Sequence, residues 1–365
     1  MTVRSAALAA AAALAVVVAP APFASAQDSC PNRGDLDAAY CDADGDLVAD
    51  PPKDPAKLRD PSTLVFAYTP VEDPAIYANL LKPFVEYLTT CIGRRVSYFS
   101  VQSNAAQIEA MRSGRLHIAG FSTGPTAFAV NMAGAVPFAA GGSEKGPRGY
   151  TLAAIVKASS PYKTLADLKG KKVAHTAPSS NSGNLAPRVL FPPQGLTPDS
   201  DYKPLMSGGH DKSVLGVSYG DYDMAAVASD VLERMIARGT VKREDFRVLY
   251  ESELFPTNGY VYAHDLKPEL AEKIRSCFFS YKFSAAETAE LNGEDRYVPV
   301  TYKERWAVVR EVAAKSGTPF NKAAYEAESR REAEAAAKKA AAAKAKVEQS
   351  EKSGSNPPAE STKQR

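Results

Sequence analysis

The sequence predicts an α/β protein of two lobes, each a mixed sheet flanked by helices, joined by a two-strand hinge. Three observations predict it. Strand-like and helix-like runs alternate from Thr63 onward; one helix–glycine–strand unit occurs twice; and two strand-like segments bracket a block of domain size. Alternation of this kind implies a parallel or mixed sheet covered by helices.

The chain of 365 residues begins "MTVRSAALAAAAALAVVVAPAPFASAQ". Arg4, an apolar run and Ala24-Ser25-Ala26 make residues 1–26 a secretory signal peptide. Pro20 and Pro22 interrupt the run before it reaches the roughly 20 apolar residues of a membrane span. No small apolar lipidation box precedes Cys30. The mature protein is therefore expected to be soluble and exported, in the periplasm or the extracytoplasmic envelope.

That compartment permits disulfides, and the four cysteines are an even count. Cys30 and Cys41 lie close together and most simply pair, which leaves Cys91 with Cys277, although four cysteines allow three pairings. Residues 27–61 form an acidic lead-in, either ordered by that staple or loosely attached. In "CDADGDLVADPPKDP", Asp42, Asp44, Asp46 and Asp50 occupy positions 1, 3, 5 and 9 of a D-x-D-x-D loop, a spacing that gathers hard oxygen ligands around calcium. Leu47 stands where such loops carry glycine and Lys53 where they carry a bidentate glutamate. The loop is thus a structural calcium site or a solvated acidic linker, and no cofactor is required.

Regular structure starts at "TLVFAY", Thr63 to Tyr68, an apolar run between prolines that suits a buried strand. "LLKPFVEYLTTCIG" reads as a helix with Pro83 in its first turn and Gly93 past its end. "RVSYFSV" is a strand, "NAAQIEAMRSG" a helix and "LHIAGF" a buried strand. The last two return as "HDKSVLGVSYGDYDMAAV", which overlays "NAAQIEAMRSGRLHIAGF" without a gap, Gly220 falling on Gly114. "YTLAAIVKASSP" and "TNGYVYAHDL" could carry the chain between lobes. We expect one lobe over 62–157 and 256–310 and the other over 158–255, with a ligand held in the cleft by hinge closure. Residues 311–365 form a helical, then disordered tail: from Lys322 the chain is nearly all Ala, Glu, Lys and Arg with no apolar stripe, a solvated, partly formed helix or else a coiled-coil or cell-wall contact, followed by a disordered "SGSNPPAESTKQR".

"SSNSG", Ser179 to Gly183, sits between the strand "KKVAH" and the helix-like "NLAPRVLF". Backbone N–H groups and the positive dipole end at such a junction favour an anion. Ser180, Ser182 and the Asn181 amide add directed donors, and Gly183 would let backbone approach a ligand. The same residues also serve an ordinary capped turn. No Gly-Lys-Ser/Thr follows, so this is not a Walker loop. Ser122, Thr123 and Gly124 form a second donor-rich turn after Phe121, and two such turns facing each other would surround one anion.

A formal net charge of +2 does not point to a nucleic-acid binder. His117, His175, His210 and His264 lack metal spacing, and no G-x-S-x-G or Cys/His nucleophile pattern occurs. The chain is not expected to be an enzyme. A scaffold using the tail and lead-in as contacts remains the other class.

From Thr63 to about Trp306 the chain resembles the periplasmic phosphate, phosphite and phosphonate binding proteins of ABC transporters, the phosphonate-binding branch of the type II solute-binding fold. The order and spacing of "AAQIEAMRSGRLHIAGF", "GYTLAAIVKASSPYKTLADLKGKKVAH", "SSNSGNLAPRVLF", "SGGHDKSVLGVSYGDYDMAAV" and "LFPTNGYVYAHDL" carry the resemblance. It implies that Ser180-Asn181-Ser182-Gly183 falls on the family's Ser-Thr-Ser-Gly turn, which grips phosphonyl oxygens, with Asn181 in place of Thr. The family's lobe 1 tyrosine falls near Phe121 or Ser122, its hydroxyl missing or replaced by Ser122 or Thr123. His210 matches a histidine that donates to the anion. Asp230 and Asn258 fall near the acidic pair that holds an ammonium group, and Tyr68 joins the candidate ligand residues. Because Asn258 is neutral, the implied ligand is phosphate, phosphite or a small neutral-tailed phosphonate. Another oxyanion such as a sulfonate, or a scaffold or signalling role on this fold, is the alternative. The implied partners of this expected monomer are a permease and its ATPase.

Overall fold

The computed structural model describes residues 30–354; the expected signal peptide and residues 355–365 of the terminus lie outside them. Among the described residues two mixed sheets carry the fold. In the first, Thr63–Tyr68 pairs in parallel with Arg95–Tyr98 and with Ile118–Ser122. Asn258–Ala263 then runs antiparallel between Ile118–Ser122 and Ala135–Ser143, and Arg296–Pro299 adds beyond it. The second sheet runs in the order Phe246–Glu251, Leu152–Lys157, Met224–Ala228, Val173–His175, Leu205–Met206. Met224–Ala228 is buried along its whole length, as a strand covered on both faces requires.

The repeated unit folds alike in both sheets. Helix Asn104–Arg112 leads to strand Ile118–Ser122 in the first, and helix His210–Tyr219 to strand Met224–Ala228 in the second. Gly114 (φ +78°) and Gly220 (φ +86°) turn the chain in the left-handed region where a side chain is costly.

One expected boundary moves. Leu152–Lys157, assigned from sequence to the first lobe, pairs with Met224–Ala228 and Phe246–Glu251 and belongs to the second sheet. A strand's own residues do not say which neighbour it joins. The crossing lies just before it, in a short antiparallel ribbon of Gly149–Tyr150 against Phe255–Pro256.

An aromatic cluster of Phe84, Phe278, Tyr281 and Tyr297 fills the first lobe, with ring centroids 4.8 Å apart from Phe84 to each of the others. Beside it Cys91–Cys277 ties helix Lys82–Ile92 to helix Pro268–Ser280, and Cys30–Cys41 closes the lead-in. The lead-in is part of the body: Leu36, Val48 and Ala49 are buried, and the Arg59 guanidinium pairs with Asp265. Trp306 is fully buried, and its indole N–H donates to the Thr123 carbonyl at 2.9 Å.

The tail departs from expectation. Helix Lys322–Gly354 is not wholly solvated, because Tyr325 and Glu328 are buried on its inner face. Phe320, just before it, packs edge-on against Phe128 at 4.9 Å. No described helix is long and apolar enough to cross a membrane.

Candidate anion-binding cleft

Strand ends and helix starts of both sheets meet in one cleft, whose lining includes Tyr68, Ser122, Thr123, Ser180, Asn181, His210, Asp230 and Asn258. Eight of the candidate ligand residues are thereby brought together. Three do not face it. Phe121 is fully buried in the core, since strand alternation turns it away from its neighbour Ser122. Ser182 and Gly183 lie beneath the lining. The Ser182 hydroxyl is buried beside the Tyr150 hydroxyl, and a Cβ on Gly183 would meet Thr176 Oγ1 at 1.8 Å. Packing against Thr176 thus requires a glycine at 183.

Three helices bordering the cleft, Thr123–Ala133, His210–Tyr219 and Ser229–Ala237, begin without a side-chain cap. The His210 and Ser229 N–H groups are taken by the Val71 and Thr151 carbonyls at 3.1 and 2.9 Å, but the positive dipole ends of all three helices border the cleft and favour negative charge. The Ser180 turn does carry a cap: Gly183 N–H donates to Ser180 Oγ at 3.1 Å. The capped-turn and donor readings therefore hold together, because a hydroxyl that accepts from Gly183 keeps its own proton to give.

His210 is fixed in the same sense. Its Nδ1 accepts the Ala228 N–H at 3.0 Å, and its Nε2 lies 3.5 Å from Ser180 Oγ. Burial holds the imidazole down at about 4, so near neutrality it is uncharged and its single proton sits on Nε2. Tyr68 repeats the logic. Asn258 Nδ2 donates to the Tyr68 hydroxyl at 2.9 Å, and burial pushes the phenol far up, so the hydroxyl retains its proton for another acceptor. Gly120 makes room for that ring, since a Cβ there would come within 2.4 Å of it.

Charge in the cleft is already balanced at Asp230. Arg234, the one Arg or Lys among the lining residues, pairs with Asp230 at 3.0 Å and with Glu72 at 2.9 Å. Arg238 pairs with Glu72 at 2.8 Å and with Glu290 at 2.7 Å. Glu72 and Glu290 come from the first lobe and both arginines from the second, so these pairs close the cleft at one side. Glu294 stands apart. It is buried beside Gly141, where a Cβ would meet its Oε2 at 1.9 Å, and burial raises its carboxyl to about 7.

Sequence reasoning missed Tyr150, Arg234, Glu72 and Glu294. Tyr150 lies in the crossing ribbon, where Asn181 Nδ2 donates to its hydroxyl at 3.3 Å and Thr123 Oγ1 lies 3.0 Å away. Its place at the start of a crossing segment was a readable signal. The others reach the cleft from distant helices and turns, and no local pattern marks them.

A family model described as ABC transporter, phosphonate, periplasmic substrate-binding protein matches residues 66–305. The chain belongs to this family. It is 26% identical over 262 residues to the phosphate-import protein PhnD of Mycolicibacterium smegmatis, covering 68% of this chain and 81% of the relative. With the phosphonates-binding periplasmic protein of Escherichia coli it shares 27% identity over 213 residues, 57% of this chain and 63% of that protein's length. PhnD1 from Prochlorococcus marinus, solved in complex with methylphosphonate, superposes with a TM-score of 0.63 at 16% identity, over 71% of this chain and 99% of that one. A binding protein of a Pseudomonas aeruginosa ABC phosphonate transporter gives 0.63 at 21% identity, over 77% and 99%. At such identities the two structures establish the fold, a two-lobed type II periplasmic binding protein. As a phosphonate-family substrate-binding protein, the chain carries its donor-lined cleft where the two sheets of that fold meet.

Proposed function

We propose that the protein captures phosphate, phosphite or a small neutral-tailed phosphonate between its lobes and presents the closed form to a permease with its ATPase. The observation that carries this reading is the convergence of three uncapped helix starts with the Ser180, His210 and Tyr68 donors on one cleft. An oxyanion satisfies such donors, whereas a ligand lacking oxygens would leave them buried and unpaired. Asp230 is already compensated by Arg234 and Asn258 is neutral, which disfavours a ligand with a cationic tail. The N-terminal segment supports export of the mature chain, and a monomer is the working unit in this reading.

A thermal-shift series with phosphate, phosphite, methylphosphonate, 2-aminoethylphosphonate and sulfate tests it, since a ligand that binds the folded state raises Tm. The first three should stabilise most. If none of the five raises Tm, the anion reading fails.

We also propose that the lead-in loop holds calcium as a brace. Carboxylate oxygens of Asp42, Asp44 and Asp46 lie within 4.8 Å of one another, whereas Asp50 is turned to the Ala43 N–H at 2.6 Å. Calcium should raise Tm and a chelator reverse it; no response to either removes the proposal.

A further inference from the structure

We propose that Glu332 of the tail helix is a positioning residue for the anion-binding turn, gripping Ser179 and through it Ser180 when the lobes are together. The inference rests on the reading of the Ser180 turn as part of the ligand site, and adds a role for a segment that reading leaves without one.

The tail helix is seated on the first lobe. Phe320 and Tyr325 both pack on Phe128, Asn131 Nδ2 donates to the Phe320 carbonyl at 2.7 Å, and the Tyr325 hydroxyl reaches the Ala105 carbonyl at 3.4 Å. Tyr325, Glu328 and Glu332 follow one another at helical spacing, so the face that buries Tyr325 also carries Glu332 inward. There the two carboxylate oxygens part. One accepts the Ala105 N–H at 3.1 Å, at the start of helix Asn104–Arg112, where a negative group suits the dipole. The other accepts the Ser179 hydroxyl at 3.0 Å.

Ser179 belongs to the second lobe, and its side-chain partners come from the first lobe and the tail. Asn104 Nδ2 donates to Ser179 Oγ at 3.0 Å, while Asn104 Oδ1 accepts the Thr69 hydroxyl at 2.8 Å. Thr69 itself lines the cleft. Backbone contact there is equally close: a Cβ on Gly124 would meet the Ser179 carbonyl oxygen at 2.2 Å. The Ser179 hydroxyl therefore both gives and receives across the lobe boundary, one residue before the Ser180 donor. Separation of the lobes must break these bonds, and Glu332 weights the balance towards keeping them.

The test uses the full mature chain. Amide exchange over residues 176–185 is followed in wild type, Glu332→Ala, Ser179→Ala and the double variant, together with methylphosphonate dissociation. Glu332→Ala should speed exchange in this segment and ligand release by about tenfold, the scale of a lost hydrogen bond to a charged group. Ser179→Ala, which also loses the Asn104 bond, should do at least as much, and the double variant should differ little from it, since the bond between the two residues is already gone. Glu332→Gln, which keeps one acceptor oxygen, should fall between. A Glu332 that merely capped the Asn104 helix would leave exchange over 176–185 unchanged, and that result, or full additivity, overturns the proposal. Failure of the wild type to bind any oxyanion would refute the transport reading instead, while the exchange comparison still decides the tail contact.

Discussion

The Ala228 N–H points at His210 Nδ1 from 3.0 Å, and that bond settles how the histidine can act. With Nδ1 accepting, a neutral ring offers its proton from Nε2, on the side of Ser180. His210→Ala should weaken oxyanion affinity by about tenfold or more, the effect of one lost bond to a charged ligand, measurable by titration calorimetry. The same residue ties stability to acid. Its folded pKa near 4 lies below the ordinary 6.5, so the unfolded chain binds the extra proton. The contribution is complete above pH 6.5 and is lost as pH falls towards 4, which urea titrations across that window should show.

Glu294 makes binding sensitive to pH in the opposite direction. Burial raises its carboxyl from 4.5 to about 7, so it is neutral below that pH and charged above it. A bound anion then meets a second negative charge as pH rises through 7, and affinity should fall. The ratio of wild-type to Glu294→Gln affinity cancels the ligand's own titration; a ratio flat from pH 6 to 8 would remove Glu294 from the site.

Glu72 holds two arginines of the other lobe in a nearly waterless setting. Glu72→Ala leaves the buried Arg234 and the part-exposed Arg238 each short of one partner, with an expected cost of about 3–5 kcal/mol for breaking the buried Arg234 pair. The loss should show in chemical denaturation and as weaker ligand binding, because these pairs span the cleft.

Cys91 and Cys277 are separated by 186 residues, against 11 for Cys30 and Cys41. Chain-entropy reasoning gives the longer loop the greater effect, about 4–5 kcal/mol at the upper end. Replacing both Cys91 and Cys277 by alanine should therefore lower the denaturation midpoint more than replacing the shorter pair.

Much of the fold was legible because it is written locally. The helix, Gly114 or Gly220 and a buried strand recur as a unit, and the Ser180 turn stands at a strand-to-helix junction that spacing alone reveals. What escaped depends on distance. Nothing in "LAAIV" tells that this strand joins the second sheet, and Glu72 gives no sign of Arg234, which lies 162 residues further on. The packing that Gly183 serves was not legible, because its close neighbour, Thr176, is brought near by folding. In the tail, an average dominated by alanine, lysine and glutamate concealed Tyr325, the large residue that anchors it.

Trp306 gives this molecule its own optical gauge. It is the single tryptophan of the chain, and its indole N–H is fastened to Thr123 at the first turn of a helix that faces the cleft. All indole emission therefore comes from one site, a hydrogen bond away from where the lobes meet. Closure can be timed by its colour and intensity without attaching a dye.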